Sequence, residues 1–285
     1  MKITHTTATL PFLGLCLLLA GLGAGLWGCG GSGDGDAGEV VLYASLDEAY
    51  SRPLMDLFTQ RTGINVRFNT DSEATKTTGL VSRIINEQAR PRCDVFWNNE
   101  IVQTIHLKRN GCLAPFSVEN QKDIPAAWKD PDGFWVGFAA RARVIILNTN
   151  LVKAPYPDSL KSLVDPRFKG KGALARPLNG TTATHAAVLW AKWGPELTKR
   201  FFADLEENGV RRCAGNAHLM REVAVGNTPW GFTDTDDFHV ALLDKKPVDV
   251  VFPDGDGDGT LLIPNTVCMV KGGPNPENAK KLIDF

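Results

Sequence analysis

The stretch Trp230-Gly-Phe-Thr-Asp-Thr-Asp-Asp-Phe238 changes from apolar to acidic within a few residues. The apolar run that starts at Pro229 and ends at Thr233 predicts a short buried strand, and Asp234, Asp236 and Asp237 then precede a predicted helix. Ligands of open α/β sheets bind at the carboxyl ends of strands, so these carboxylates are candidates for a binding site. Acidic residues also stabilise helix N-termini, and a capping role is the structural alternative.

Outward from this stretch, apolar segments of strand length alternate with helical patterns along the chain, which predicts an α/β fold. The first three predicted strands are joined through helices by short loops, a pattern typical of a parallel sheet. Because 285 residues exceed one ordinary core, we expect two lobes. The strands predicted in the first half of the chain are residues 39–45, 64–68, 93–97, 135–138 and 143–147, the last two separated by Ala139-Ala140-Arg141.

The N-terminal segment has the features of an export signal. An apolar core at residues 10–27 ends in Leu26-Trp27-Gly28-Cys29. This ending resembles the lipobox of bacterial lipoproteins, with Trp27 as a departure, and the resemblance implies lipidation of Cys29. A plain cleaved signal or an uncleaved anchor is the alternative. Residues 30–38 form a glycine-rich tether. The sequence thus predicts export to the periplasm or cell surface, with the body held to a membrane by a lipid anchor.

Charge, cysteine spacing and motif content exclude several classes of function. A net charge of -1 gives no support for nucleic-acid binding. No GxSxG, P-loop or HExxH motif occurs, so we predict no enzymatic activity and no catalytic cofactor. The cysteines after the tether match no CxxC metal spacing. They have two alternatives, a disulfide between Cys93 and Cys112 or buried free thiols. These cysteines are Cys93, Cys112, Cys213 and Cys268.

An acidic loop further along the chain needs separate treatment. Pro253-Asp-Gly-Asp-Gly-Asp-Gly-Thr260 begins like a calcium-binding loop, but its twelfth position is Asn265 rather than the glutamate that such a loop needs. We therefore interpret it as a solvated turn between strands.

Several blocks of sequence occur together in the order of one known family. They are Leu42-Tyr-Ala-Ser-Leu-Asp-Glu48, Thr62-Gly-Ile-Asn-Val66, Cys93-Asp-Val-Phe-Trp97, Gly111-Cys-Leu-Ala-Pro115, Trp135-Val-Gly-Phe-Ala-Ala-Arg-Ala-Arg-Val144, Asn148-Thr149, Asp165-Pro-Arg-Phe-Lys-Gly170 and Pro274-Asn-Pro-Glu-Asn-Ala279. Together they resemble the periplasmic ferric-ion-binding proteins of ABC importers, within the type 2 extracellular solute-binding proteins. The resemblance implies a two-lobed periplasmic-binding-protein type 2 fold with a ligand cleft between the lobes. It also implies an ABC permease as partner, and we expect a monomer.

The resemblance and the composition together divide the chain. The last predicted helix, residues 276–285, has no cap, which gives the expectation that further sequence follows Phe285. The expected divisions are a lipoprotein signal peptide at 1–29, the tether at 30–38, the first part of lobe 1 at 39–138, lobe 2 at 139–232, and the hinge return with the remainder at 233–285.

The expected metal ligands depart from the family pattern. Asp236 and Asp237 stand where ferric binders typically carry two adjacent tyrosines. The family's histidine ligand falls on Asp47, and a glutamate ligand of some members falls on Asn99, with Glu100 one position away. Carboxylates are hard oxygen donors, so we predict a cation, iron(III) by resemblance, held by Asp47, Glu100, Asp236 and Asp237.

A second group of residues is expected to contact an anion. Arg141 and Arg143, together with Asn179 and Thr181 at a predicted helix start, have the donors that an anion needs. The resemblance implies a synergistic anion beside the metal in this region. Ion pairing of the arginines with the aspartates is the structural alternative.

Two further interpretations of the cleft are open. Carboxylates with the aromatic faces of Tyr43, Trp97 or Trp230 suit an organic amine such as a polyamine. A sensory lipoprotein that reuses the fold is the other alternative. Residues expected to contact the ligand in any of these cases are Tyr43, Ser45, Asn99 and Asp234.

Overall fold

The computed structural model describes residues 38–46, 48–71 and 77–285. The predicted signal peptide, Cys29, most of the tether and Asp47 lie outside these ranges. None of the helices within these ranges has the length and apolar character needed to cross a bilayer.

A ten-stranded mixed sheet runs through the described residues. Its strands are β1 (Glu39–Ala44), β2 (Asn65–Thr70), β3 (Val95–Asn98), β4 (Leu113–Ala114), β5 (Trp135–Asn148), β6 (Gly172–Ala175), β7 (Arg211–Cys213), β8 (Trp230–Asp234), β9 (Val248–Val251) and β10 (Leu262–Val270). They lie in the order β2-β1-β3-β10-β5-β8-β6-β7, with β4 paired to β10 and β9 to β5. The pairs β1–β2 and β1–β3 are parallel, which confirms the predicted β-α-β-α-β start.

Seven α-helices of the described chain cover the sheet. The long helix α4 is broken at Gly194 (φ 78°, ψ 169°), directly before Pro195. Glycine adopts this left-handed conformation at little cost. The helices are α1 (Glu48–Thr62), α2 (Thr78–Asn86), α3 (Val102–Arg109), α4 (Gly180–Glu207), α5 (Asn216–Ala224), α6 (Thr235–Leu243) and α7 (Pro276–Asp284).

Strand β5 is continuous from Trp135 to Asn148, which corrects the prediction of two strands separated at residues 139–141. Residues up to Ala142 pair with β10, whereas residues from Arg143 onward pair with β8 and β9. The strand therefore changes partners without ending. Lobe 1 here denotes β1–β4, β10 and the first part of β5 with α1–α3 and α7; lobe 2 denotes β6–β9 and the rest of β5 with α4–α6.

Each lobe buries apolar side chains on both faces of its part of the sheet. Cys93, Cys112 and Cys268 belong to one lobe 1 cluster, and Cys213 lies in lobe 2. All four are free and buried, so the predicted alternative of buried thiols describes them, and the Cys93–Cys112 disulfide is not formed.

The end of the chain divides between the lobes. Residues 233–251, which the sequence analysis places in the hinge return, pack on lobe 2, because β9 pairs with residues 145–148 of β5 and α6 packs on α5. Strand β10 then returns to lobe 1 beside β3.

The acidic loop between β9 and β10 is fastened to lobe 2. Its first carboxylate, Asp254, accepts hydrogen bonds from Ser159 Oγ (2.5 Å) and Leu160 N (3.3 Å). Asp258 pairs with Lys192 of α4 at 2.6 Å. These carboxylates bind protein donors, in agreement with the interpretation as a turn.

Candidate functional site

A small polar cavity lies where β6, β7 and β8 end and the helices that follow them begin. Its volume is about 30 Å³, room for roughly two water molecules. Among the described residues that line it, Asn99 and Arg141 belong to lobe 1, Arg141 through the first part of β5, and the others belong to lobe 2. The lining residues are Asn99, Arg141, Ala175, Arg176, Asn179, Gly180, Thr181, Thr182, Gly215, Asn216, Ala217, Asp234, Asp236 and Asp237.

The apolar residues before the acidic cluster determine how closely the wall of the cavity packs. A Cβ atom on Gly231 would lie 2.6 Å from Leu219 Cδ2, so any other residue here would displace the buried Leu219 side chain, by which α5 packs on β8. This packing brings the N-terminus of α5 to the cavity beside the N-terminus of α4. Both helix ends carry partial positive charge, and they face the three aspartates.

Asp234 is the most buried carboxylate of the site, with 1% of its surface exposed. Its Oδ1 accepts a hydrogen bond from Arg143 (2.6 Å), and its Oδ2 accepts from Thr181 Oγ1 (2.5 Å) and Asn216 Nδ2 (2.9 Å). Burial alone would raise its pKa, but the charges of Arg143 and Arg141 and the hydrogen bond from Thr181 outweigh burial and hold the pKa below its usual value. Asp234 therefore stays ionised and orients two side chains of the cavity.

Arg143 lies behind the cavity rather than in it. Its side chain is fully buried, its Nη2 donates to Thr182 Oγ1 (3.4 Å), and its guanidinium lies 5.2 Å from the centre of the Phe232 ring. The structural alternative, an ion pair with an aspartate, is therefore what the structure shows for Arg143, and the residue does not line the cavity.

Arg141 and the remaining two aspartates lie at the cavity itself. Arg141 Nη1 is 2.9 Å from Asp236 Oδ2 and 3.9 Å from Asp234 Oδ2. Asp237 Oδ2 accepts a hydrogen bond from Thr233 Oγ1 (2.7 Å). One oxygen of each of the three aspartates lies within 4.8 Å of the others. Three hard anionic oxygens at this spacing suit a cation that prefers oxygen ligands.

In lobe 1, Ser45 and Thr77 hold the side chain of Asn99. The Asn99 Oδ1 accepts from Thr77 Oγ1 (2.7 Å) and Ser45 Oγ (3.3 Å), and its backbone N–H donates to Ser45 Oγ (3.0 Å). Ser45 thus supports a residue that lines the cavity and does not line it itself.

Glu100 and Tyr43 are not brought to the three aspartates. Glu100 is 1% exposed and accepts hydrogen bonds from Val102 N (2.7 Å), Gln103 N (2.9 Å), Asn98 (3.2 Å) and Thr184 (2.6 Å). Burial raises its pKa, and these bonds act in the opposite direction. Strand β1 directs Tyr43 towards α2, where its hydroxyl donates to Glu87 (3.0 Å) and burial raises its pKa.

Several cavity residues were not predicted from the sequence. They follow strands β6 and β7, whose carboxyl ends meet the same edge as that of β8. A turn with Gly215 and Asn216 between a strand and a helix was the available signal. The missed residues are Arg176, Gly215, Asn216 and Ala217.

The comparison with known proteins decides the family. Residues 97–285 match the family of bacterial extracellular solute-binding proteins. The chain belongs to this family. The predicted membership of the solute-binding proteins is thereby confirmed, and the cavity lies where the carboxyl-end rule places a ligand of such a protein.

Curated relatives of this solute-binding protein have two kinds of named ligand. Iron uptake protein A1 of Synechocystis sp. is 29% identical over 88% of this chain and 71% of its own length. A putative 2-aminoethylphosphonate-binding periplasmic protein of Salmonella typhimurium is 26% identical over 84% of this chain and 69% of its own length.

Solved structures confirm the two-lobed fold. Iron-bound HitA from Pseudomonas aeruginosa superposes with a TM-score of 0.80 at 22% identity, covering 87% of this chain and 80% of that one. A Trichodesmium IdiA (FutA) in complex with iron and citrate gives 0.70 at 25% identity, covering 86% and 80%.

Proposed function

We propose that this solute-binding protein captures a metal ion, iron(III), in the cavity between its lobes and delivers it to the permease of an ABC importer. The observation that carries the proposal is the convergence of Asp234, Asp236 and Asp237 on one small cavity, with oxygens within 4.8 Å of one another. The names of the relatives support iron, because the Synechocystis relative is an iron uptake protein.

The contacts of the three aspartates suggest different roles for them. Asp234 binds Arg143, Thr181 and Asn216 and serves as a support. Asp236 and Asp237, in the first turn of α6, supply the anionic oxygens that hold the metal. The metal competes with Arg141 for Asp236, because Arg141 Nη1 lies 2.9 Å from that carboxylate. Asp47 is kept as a proposed lobe 1 ligand, whereas the contacts of Glu100 favour a supporting role over the predicted role as ligand.

A synergistic anion is part of the proposal. The N-termini of α4 and α5 both reach the cavity, and Arg141 and Arg176 line it, so donors and positive charge surround its lobe 2 side. An anion bound here takes Arg141 as partner once the metal occupies Asp236. The predicted contacts of Asn179 and Thr181 belong to this anion site.

An organic solute is the second candidate. The 2-aminoethylphosphonate named for the Salmonella relative carries a cation and an anion, and the cavity offers both carboxylates and arginines. The volume argues against it: about 30 Å³ is far below the roughly 300 Å³ at which organic-ligand pockets begin.

Thermal unfolding tests the proposal. Purified protein is heated alone and with Fe(III)-citrate, citrate, phosphate, polyamines and 2-aminoethylphosphonate, because a ligand that binds only the folded state raises the midpoint. We expect a rise with Fe(III)-citrate that is lost in Asp236→Asn and Asp237→Asn and kept in Asp258→Asn, which changes a carboxylate of the outer loop. A rise with an organic solute and none with iron would overturn the metal assignment.

The proposal also includes the oligomeric state, the lack of catalysis and the membrane anchor. The protein acts as a monomer without catalytic activity, and a lipid on Cys29 anchors it to a bacterial membrane with its body in the periplasm or at the cell surface. Membership of an extracellular family supports the location. Mass spectrometry of the mature N-terminus tests the lipid.

A further inference from the structure

We propose that Glu100 and Thr184 are positioning residues that hold the two lobes together around the cavity and set the affinity for the solute without contacting it. Glu100 belongs to lobe 1 and Thr184 to helix α4 of lobe 2, and Thr184 Oγ1 donates to Glu100 Oε2 at 2.6 Å. Neither residue lines the cavity. The effect on solute release rests on the proposed function, whereas the contact between the lobes does not.

The carboxylate of Glu100 is a rigid part of lobe 1. It accepts hydrogen bonds from the backbone N–H groups of Val102 and Gln103 in the first turn of α3, and from Asn98 at the end of β3. Negative charge at a helix N-terminus is stabilised by the helix dipole. The side chain therefore cannot follow lobe 2 when the lobes separate, and the bond to Thr184 must break.

Thr184 is an equally fixed part of lobe 2. Its side chain is 3% exposed, and it lies on the same helix as Gly180, Thr181 and Thr182, which form one wall of the cavity. Because α4 is continuous over this stretch, a bond at Thr184 fixes the position of that wall.

The bond also places Asn99, a lobe 1 residue that lines the described cavity. Asn99 directly precedes Glu100, so the contact to Thr184 sets the distance between Asn99 and the first turn of α4. A second hydrogen bond across the lobes, from the Tyr50 hydroxyl to the backbone oxygen of Asp236, is longer at 3.3 Å. The bond to the buried carboxylate is the stronger contact because one partner is charged.

Removing the hydroxyl should favour the open form. In Thr184→Val the closed form leaves one lone pair of a buried carboxylate without its donor, whereas water supplies a donor in the open form. We expect the ratio of closed to open molecules to fall by about tenfold or more, and solute release to accelerate by a similar factor.

The chain offers a matched control on the same helix. Thr198 is also 3% exposed, but its hydroxyl donates to Gly194 O within α4. Thr198→Val therefore repeats the substitution at equal burial without touching lobe 1. Thr184→Ser keeps a hydroxyl and should restore wild-type behaviour.

Two readouts separate this role from a general loss of stability. Pulsed electron paramagnetic resonance measures the distance between spin labels, carried by unnatural amino acids, at the exposed positions 199 of lobe 2 and 271 of lobe 1. Stopped-flow measurement of Fe(III) release to a chelator gives the dissociation rate. We expect a wild type that is mainly closed without added solute, an open population in Thr184→Val, and wild-type behaviour in Thr198→Val and Thr184→Ser.

The outcomes are separable from those of the proposed function. A wild type that is mainly open without solute, or a Thr184→Val protein with the same distance distribution as Thr198→Val, would overturn the inference. Failure of the wild type to bind iron would overturn the metal assignment, while the distance measurement would still decide the role of Glu100 and Thr184.

Discussion

The two walls of the cavity differ in chemistry. The lobe 2 wall carries three aspartates, two helix N-termini and a buried carboxylate–arginine contact, whereas the described lining residues of lobe 1 are one amide, Asn99, and one arginine, Arg141 of strand β5. Glu100, a buried carboxylate of lobe 1 near this site, uses its oxygens on α3 and on Thr184. Under the proposed function, lobe 2 supplies most of the contacts to the solute and lobe 1 closes over it.

The buried ion pair gives the strongest test of this difference. We expect Arg143→Met to lower the free energy of unfolding by about 3–5 kcal/mol, because it removes the nearest cation from the buried, charged carboxylate of Asp234 and leaves Arg141 at 3.9 Å. Lys108→Met in lobe 1, which removes a partner of Asp130 from a partly exposed pair, should cost much less. Urea unfolding measures both.

A double substitution controls for the loss of packing. Arg143→Met combined with Asp234→Asn should recover part of the stability, because no unpaired charge remains. Equal losses in Arg143→Met and Lys108→Met would remove the basis for distinguishing the two walls.

The next largest effect concerns metal affinity. Asp236→Asn and Asp237→Asn should each weaken iron(III) binding by roughly 100-fold or more, since loss of a group behind a metal ligand already costs 10–100-fold. Glu100→Gln, which acts through closure, should weaken it less. Competition titration against citrate measures the three affinities, and a larger loss in Glu100→Gln would assign the metal to lobe 1 instead.

A negative charge added to the lobe 1 wall should reduce the difference in charge between the two walls of the cavity. In Asn99→Asp the oxygen that accepts from Thr77 and Ser45 is kept, and a carboxylate joins the cavity. We expect affinity for iron(III) to rise by about tenfold, because the added charge attracts the cation. The same titration checks this, and a fall in affinity would show that the amide itself is needed.

The smallest expected effect is a pH dependence in lobe 2. Burial, and secondarily the charge of Arg143, lowers the pKa of His185 to about 3. Below about pH 6.5 the unfolded chain takes up a proton that the folded protein refuses until about pH 3, so stability falls across this window as pH decreases. The loss is under about 1 kcal/mol between pH 7 and 6.

Variants at two histidines test this dependence. His185→Gln should flatten the profile of unfolding free energy between pH 7 and 5, and His106→Gln, at an exposed position of α3, should leave it unchanged. Identical slopes in both variants would mean that His185 does not cause the acid sensitivity.

Local pattern predicted the strand–helix boundary that carries the three aspartates. The apolar run before Asp234 and the acidic residues after it marked the boundary between β8 and α6, since both signals lie within a few neighbouring residues. The parallel start of the sheet and the family resemblance were equally readable.

Contacts between residues far apart in the chain could not be predicted from the sequence. Asp234 takes its partners from Arg143 and Thr181, 91 and 53 positions away, and Glu100 bonds Thr184 across 84 positions. The continuity of β5 escaped prediction for a related reason. Its middle residues are held by pairing with β10, whose sequence lies more than a hundred positions further on.

Asp234 lies below Asp236 and Asp237, and this arrangement affects how the binding specificity of such a protein can change. The groups that hold β8, α4 and α5 together, Asp234, Arg143 and Thr181, lie beneath the two positions that we propose to hold the metal, 236 and 237. Side chains in the first turn of α6 can therefore be exchanged while the scaffold below them stays intact. A library randomised at these two positions is a direct route to receptors for other cations on the same body.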